Sequence, residues 1–424
     1  MRRICGTNAA SRLPQGHSVL QFHSAVAENQ PANKNRMTTE LSNFAARLLP
    51  LLRDTARQAQ DDEFNVHALE LFALQFKHNA AYRKICEARR LTPKIVEHWT
   101  QIPVVPTAVF KELDLTCLAL AERTTVFNSS GTTEQRPSRH FHSPESLKLY
   151  EASLLPWFLE NVLPDLRFTI YDLRLVCLTP PPVQASHSSL VHMFETVRQK
   201  LGAAETAFVG KLASDGSWTL NFDATLAALN SSLVTRHPSL LLGTAFSFVH
   251  LLDYLTERNL RYDLPAGSRV METGGYKNRS RSIPKTELHQ LIAEKLGVPP
   301  LHIISEYGMS ELSSQAYDLG ALASRRQVSS SRSEQDAGET PALPGFVTRH
   351  FRFPPWARVQ IISPETGHEV ADGETGLIRV FDLANVFSVM AIQTEDLGIR
   401  RGGGFELIGR ATSAEPRGCS LMTV

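Results

Sequence analysis

The chain has 424 residues, 42% hydrophobic and 21% charged, with 44 Lys and Arg against 43 Asp and Glu for a net charge of +1. This is ordinary globular composition, with no basic field to draw nucleic acid and none to hold a membrane surface. The length calls for several domains, or for one large α/β domain with subdomains.

No apolar run approaches the about 20 residues of a membrane-spanning helix, so no span is expected. The five cysteines (5, 86, 117, 177, 419) are odd in number and scattered, and no CxxC pair occurs. Neither a disulfide framework nor structural zinc follows, and a cytoplasmic location fits best. Residues 1–36 carry Arg and Ser and no acid before Glu28. They read as a transit-like leader or as an over-extended start ahead of Met37, and are set aside from the fold in either case.

From Thr39 to about Lys111 the apolar spacing is helical in "TELSNFAARLLPLL" and "NVHALELFALQFKHNAAYRKICEAR". "IPVVPTAVFKE" reads as extended. From about Arg123 to Glu311, β-like runs ("TTVFNSS", "LRLVCLT", "SLLLGT", "SRVMETGG", "LHIISEYG") alternate with helical stretches, which predicts an α/β fold with a largely parallel sheet. A polar, aperiodic insertion at about 324–343 follows. Short strand-like runs joined by Gly-rich turns then predict a small β-rich subdomain. The expected division is a leader over 1–36, an α/β core over 37–345 and a β-rich part with a cysteine-bearing tail over 346–424.

Five local patterns carry chemistry. In "FNSSGTTEQRPSR", the run Ser129, Ser130, Gly131, Thr132, Thr133 offers backbone N–H groups and hydroxyls to an anion, or is a flexible turn. No GK[ST] follows, so it is not a Walker A loop. "METGGYKNRSR" places Gly274 and Gly275 at a strand end, suited to a flat ligand or to a plain βα turn. "ISEYGMSEL" supplies an aromatic ring at Tyr307, a turn at Gly308 and a carboxylate at Glu311 able to hold a metal, or a capped helix start. Asp396 in "QTEDLG" suits a pair of ribose hydroxyls. Arg410 in "GFELIGR" can reach phosphate or ribose oxygens.

The order of these patterns resembles the running order of the adenylate-forming superfamily over roughly residues 100 to 420. That superfamily normally adds a mobile C-terminal domain whose lysine contacts the acyl carboxylate and α-phosphate. Here no lysine follows Lys295. The chain therefore looks like the superfamily's N-terminal domain, with a small β-rich C-terminal subdomain and without the lysine-bearing domain. With "TGGYKNRSR" and the terminal "RGCSLM", it is similar to the acyl-protein synthetase (LuxE-like) family.

The resemblance implies that ATP and Mg2+ are used to activate a fatty or other carboxylic acid. Ser129, Ser130, Gly131, Thr132 and Thr133 would cradle phosphates. Gly274, Gly275 and Tyr276 would form the adenine and acyl wall. Tyr307 would stack on adenine beside Gly308, Glu311 would hold Mg2+ with Ser310 near the α-phosphate, Asp396 would bind ribose, and Arg410 ribose or phosphate. Cys419 would accept the acyl group for an acyl-accepting partner protein, a reductase or carrier, with Arg417 near to lower the thiol pKa. Lys277 and Arg279 are the expected substitutes for the absent lysine, or solvated surface cations. The alternatives are a phenylacetate–CoA-ligase-like enzyme that delivers to CoA or a carrier, and a degenerate nucleotide-binding scaffold. Cys86 and Cys177 read as core. His187 and His192 read as acyl-pocket or packing residues.

Overall fold

A computed structural model describes residues 31–56, 60–129, 136–164, 173–203, 205–214, 216–274, 281, 283–319 and 349–411. The first periodic segment forms α1 (Pro31–Leu48), which buries Leu41, Phe44, Ala45 and Leu48 at helical spacing. The helix runs across the 36/37 boundary drawn from the sequence. The next segment is two helices rather than one. In α2 (Asp61–His78), acids in the first turn and Lys77 and His78 in the last match the helix dipole. Asn79 then breaks the run, because its side chain accepts from Tyr82 N at 3.0 Å and caps α3 (Ala80–Ala88). The stretch expected to be extended splits into β1 (Val105–Pro106) and a single turn of helix, α4 (Val109–Glu112).

β2 (Thr125–Asn128) and β3 (Arg139–His142) pair as a separate antiparallel hairpin, so the Ser/Thr/Gly run opens from a two-stranded support and not from the main sheet. Ser143 caps α5 (Pro144–Val162), with Pro144 at its first position. The alternating region continues as β4 (Arg174–Cys177), α6 (Ser189–Leu201) and β5 (Glu205–Phe208), then the hairpin β6 (Gly210–Leu212) and β7 (Trp218–Leu220). After it come α7 (Phe222–Thr235), β8 (Ser239–Thr244), α8 (Ala245–Glu257), β9 (Arg269–Thr273), α9 (Lys285–Leu296) and β10 (Ile303–Tyr307). The last strands are β11 (Ala316–Leu319), β12 (His350–Arg352), β13 (Ala357–Ile362), β14 (Thr375–Asp382), β15 (Ala391–Arg401) and β16 (Gly404–Arg410).

Among the described residues, one 12-stranded sheet runs β13-β14-β15-β16-β12-β11-β10-β9-β8-β4-β5, with β1 alongside β15. β5, β4, β8, β9 and β10 are mutually parallel, as strand–helix alternation requires. From β10 to β13 the neighbours are antiparallel. The β-rich C-terminal part thus continues the sheet of the α/β core. β4, β8, β9 and β10 are buried on both faces, and β5 forms the partly exposed edge. Leu241, Val270 and Ile303 face α8 and α9, while Leu240, Leu242, Met271 and Ile304 belong to the other core, with α5 and α6. This alternation fixes which side each residue at the strand ends serves.

Candidate active site at the strand ends

In a parallel sheet, ligands collect beyond the carboxyl ends of the strands. Three of the sequence patterns meet there. β9 ends at Thr273 and Gly274, whose φ of +72° favours glycine. Its neighbour β10 ends at Tyr307, in register with it through Glu306 and Thr273. The chain then turns through Gly308, Ser310 and Glu311.

The Ser/Thr/Gly run is tied to that turn from its hairpin base. Ser138 N donates to Ser129 Oγ at 3.0 Å, and Ser129 N donates to Ser138 O at 3.2 Å. Ser138 Oγ lies 3.4 Å from Ser310 Oγ, and the His140 Nδ1–H donates to Ser310 O at 2.8 Å. Burial pushes the His140 ring down to about 4, so it stays neutral and serves as a fixed donor. Ser310 Oγ donates to Glu311 Oε2 at 3.0 Å, and Asn385 Nδ2 donates to Glu311 O at 2.8 Å. The Glu311 carboxylate is therefore anchored on one oxygen, at 5% exposure.

A second group forms at Tyr307. Its ring is buried, edge-on to Phe351 at 6.0 Å and Phe405 at 5.2 Å, and its hydroxyl donates to Asp396 Oδ2 at 2.9 Å. Asp396 is opposite Arg410 across β15 and β16, with Arg410 Nε 3.8 Å from Asp396 Oδ1. Burial raises the Asp396 carboxyl, while the Tyr307 hydroxyl and Arg410 oppose that shift. Arg410 itself is 79% exposed, free to swing to a bound anion. Tyr307→Phe is expected to cost about 1–2 kcal/mol in urea unfolding, because it strips one donor from a largely buried carboxylate. An unchanged unfolding midpoint would show that the pair is idle in the free protein.

Ser129, Gly274, Tyr307, Gly308, Ser310, Glu311, Asp396 and Arg410 thus fall in these two linked groups. Ser130, Gly131, Thr132, Thr133, Gly275, Tyr276, Lys277, Arg279, Arg417 and Cys419 lie outside the described residues. Among the described residues no group of three or more His, Cys, Asp or Glu side chains can hold a metal ion. A cation at Glu311 would draw its other ligands from phosphate and water, the coordination that Mg2+ favours.

The sequence pattern of the family described as "Acyl-protein synthetase, LuxE" matches residues 30–330, more than half of the chain. The chain belongs to this acyl-protein synthetase family. Two relatives are the long-chain-fatty-acid–luciferin-component ligases of Vibrio harveyi and Aliivibrio fischeri. The first is 22% identical over 359 residues, covering 82% of this chain and 84% of the relative. The second is 22% identical over 372 residues, covering 83% and 85%. A solved 2-hydroxyisobutyryl-CoA ligase, in complex with 2-HIB-AMP and CoA, shares the fold with a TM-score of 0.57 at 14% identity. That likeness covers 82% of this chain and 69% of that structure. Membership makes this chain an enzyme of ligase type.

Among the described residues, no helix is long and apolar enough to cross a membrane. Cys86, Cys117 and Cys177 are buried free thiols, and burial raises all three. His192 packs on Phe127 and Tyr150 at 5.3 and 5.7 Å, and its Nε2 is 3.3 Å from Glu151. His187 is exposed, with its carbonyl accepting from Asn128 N.

Sequence reasoning passed over four groups that shape this site in an acyl-protein synthetase. Ser138 and His140 tie the β2–β3 hairpin to Ser310. On the α9 face, the buried Glu272 carboxylate meets Ser305 Oγ at 2.5 Å, His289 Nε2 at 3.2 Å and Lys285 Nζ at 3.4 Å. Burial opposes its ionisation, yet Lys285 and His289 hold it down at about 2. On the opposite face stands Glu306, within the quoted "ISEYGMSEL". An acid in the middle of an apolar strand was the signal that could have singled it out.

Proposed function

We propose that this chain activates a carboxylic acid, of fatty type, by adenylation. The acid's carboxylate oxygen bonds to the α-phosphorus of ATP as the bond to the β-phosphate oxygen breaks, and pyrophosphate leaves. A carboxylate is a poor acyl donor because oxide is a poor leaving group, whereas the mixed anhydride releases AMP readily. Ser129 with the following loop holds the phosphates, and Glu311 would hold a Mg2+ ion, which would supply positive charge to offset theirs. Asp396, positioned by Tyr307, holds the ribose, and Arg410 closes on the anion. The thiolate of Cys419 then attacks the acyl carbon, AMP departs, and the thioester passes to an acyl-accepting partner such as a reductase.

The observation that carries this reading is the hydrogen-bonded path Ser129–Ser138–Ser310–Glu311, joined to membership of the acyl-protein synthetase family. It supports placing a phosphate cradle and a metal carboxylate on one rigid frame, which phosphoryl transfer needs. The test is ATP–pyrophosphate exchange with octanoate, dodecanoate, hexadecanoate and phenylacetate, with and without CoA. Acid-dependent exchange without CoA is expected. No exchange with any acid would leave a nucleotide-binding scaffold, and acyl-CoA as the sole product would favour a CoA ligase.

A further inference from the structure

Glu306 is 6% exposed, in a strand whose other inward residues on that face are apolar. Its carboxyl sits between the two glycine turns: Thr273 Oγ1 donates to Oε2, and a Cβ on Gly308 would collide with Oε1. Across the sheet, Tyr317 pairs with Glu306 in register, is fully buried, and its hydroxyl has no partner among the described residues. Tyr150 of α5 approaches from the helix layer, with its hydroxyl committed to Ser189 O at 3.3 Å. A packing role would be served better by an apolar side chain, since a buried carboxyl with one donor carries a desolvation cost. A carboxyl with one donor and a phenol with none thus stand side by side at the strand ends, next to Gly274 and Gly308, where the proposed acyl wall begins.

We propose that the Glu306 carboxyl, as the neutral acid, is a hydrogen-bond donor that positions the substrate's carboxylate at the paired ends of β9 and β10. The inference rests on the acid-activating reading above. A neutral carboxyl can share its proton with an incoming carboxylate, whereas an ionised one repels it. Burial raises Glu306 to about 7, helped by the Glu272 carboxylate and opposed by Thr273 and Lys285. The charged and titratable groups around it are Glu272 on β9, Lys285 on α9, Tyr150 on α5, Tyr317 on β11 and the neighbouring Tyr307 on β10. The neutral form prevails below that pH and is lost as pH rises, so acid affinity falls on the alkaline side.

The experiment is the pH dependence of KM and kcat for the acid, from pH 6 to 9, by pyrophosphate exchange with the best of the four acids named above. In the wild type, KM is expected to rise about tenfold per pH unit above a break near neutrality, with a smaller change in kcat. Glu306→Gln, which donates but cannot ionise, is expected to flatten that rise to under about twofold. Thr273→Val removes the hydrogen bond that favours the carboxylate, so its break should move to higher pH, and this variant serves if Glu306→Gln does not fold. A wild-type KM rise retained in Glu306→Gln, or a break unmoved by Thr273→Val, overturns the role of Glu306 while acid activation stands. Wild-type protein without exchange on any of the four acids overturns both.

Discussion

Glu311→Gln is expected to lower acid-dependent pyrophosphate exchange by about 10²–10³-fold, the scale on which loss of one preorganised electrostatic partner acts in such sites. Glutamine keeps the size of the side chain and can still accept from Ser310 Oγ, so the hydrogen bond at 3.0 Å survives. The backbone anchor from Asn385 to Glu311 O is untouched. What is lost is the negative charge. Because few other acidic side chains stand by, the phosphates would be left with a weakly held cation. The variant should keep its unfolding midpoint and lose exchange. Exchange within about threefold of wild type, at saturating Mg2+, would remove Glu311 from the metal role.

Asp382→Ala is expected to cost about 3–5 kcal/mol of stability, read by urea unfolding. Asp382 ends β14 and is fully buried. Its Oδ2 accepts from Ser313 N at 2.9 Å and Ser314 N at 2.8 Å. Its Oδ1 accepts from Ser314 Oγ at 2.7 Å and Ala384 N at 3.0 Å. Alanine would strand several buried donors in the segment that follows Glu311. Ser314 Oγ also meets Ser153 Oγ at 2.9 Å and accepts from Trp356 Nε1 at 3.1 Å, so the damage would reach α5. Asp382→Asn keeps one acceptor oxygen and should fall between wild type and alanine. A loss under about 1 kcal/mol for alanine would mean that water replaces the carboxylate there.

Most of the parallel half of the sheet was legible in the sequence because β4, β8, β9 and β10 are short apolar runs bounded by turn residues, whereas the edge strand β5, which opens on the exposed Glu205, has no such run and was not legible. "SLLLGT" became β8, "SRVMETGG" β9 and "LHIISEYG" β10, each followed or preceded by a periodic helix. The break at Asn79 was harder, since helical apolar spacing runs through it and only a side-chain cap divides α2 from α3. β2 reads as one more parallel strand, and its pairing with β3 depends on a partner whose "RHFH" is polar by composition. Those histidines are buried because they pack against each other, with tilted rings whose centroids are 4.3 Å apart, and because Ser310 O receives one of them. No local pattern encodes that tertiary fact.

The same division holds for the site. Tyr307, Glu311, Asp396 and Arg410 stand in turn-linked motifs whose spacing is visible along the chain. The contacts Tyr307–Asp396 and Ser138–Ser310 join residues far apart in sequence, and appear only once β10, β15 and the hairpin are assembled. Glu306 and Glu272, on neighbouring strands, are shifted in opposite directions because alternation sends one toward α5 and the other toward Lys285 and His289.

Intact-protein mass spectrometry after incubation with ATP, Mg2+ and dodecanoate tests the central claim most directly. The predicted result is a mass gain of one dodecanoic acid less one water. Hydroxylamine should remove it, it should map to the peptide carrying Cys419, and it should be absent in Cys419→Ser while pyrophosphate exchange persists. An unmodified chain that still forms acyl-AMP, or an acyl group on any other residue, would contradict it.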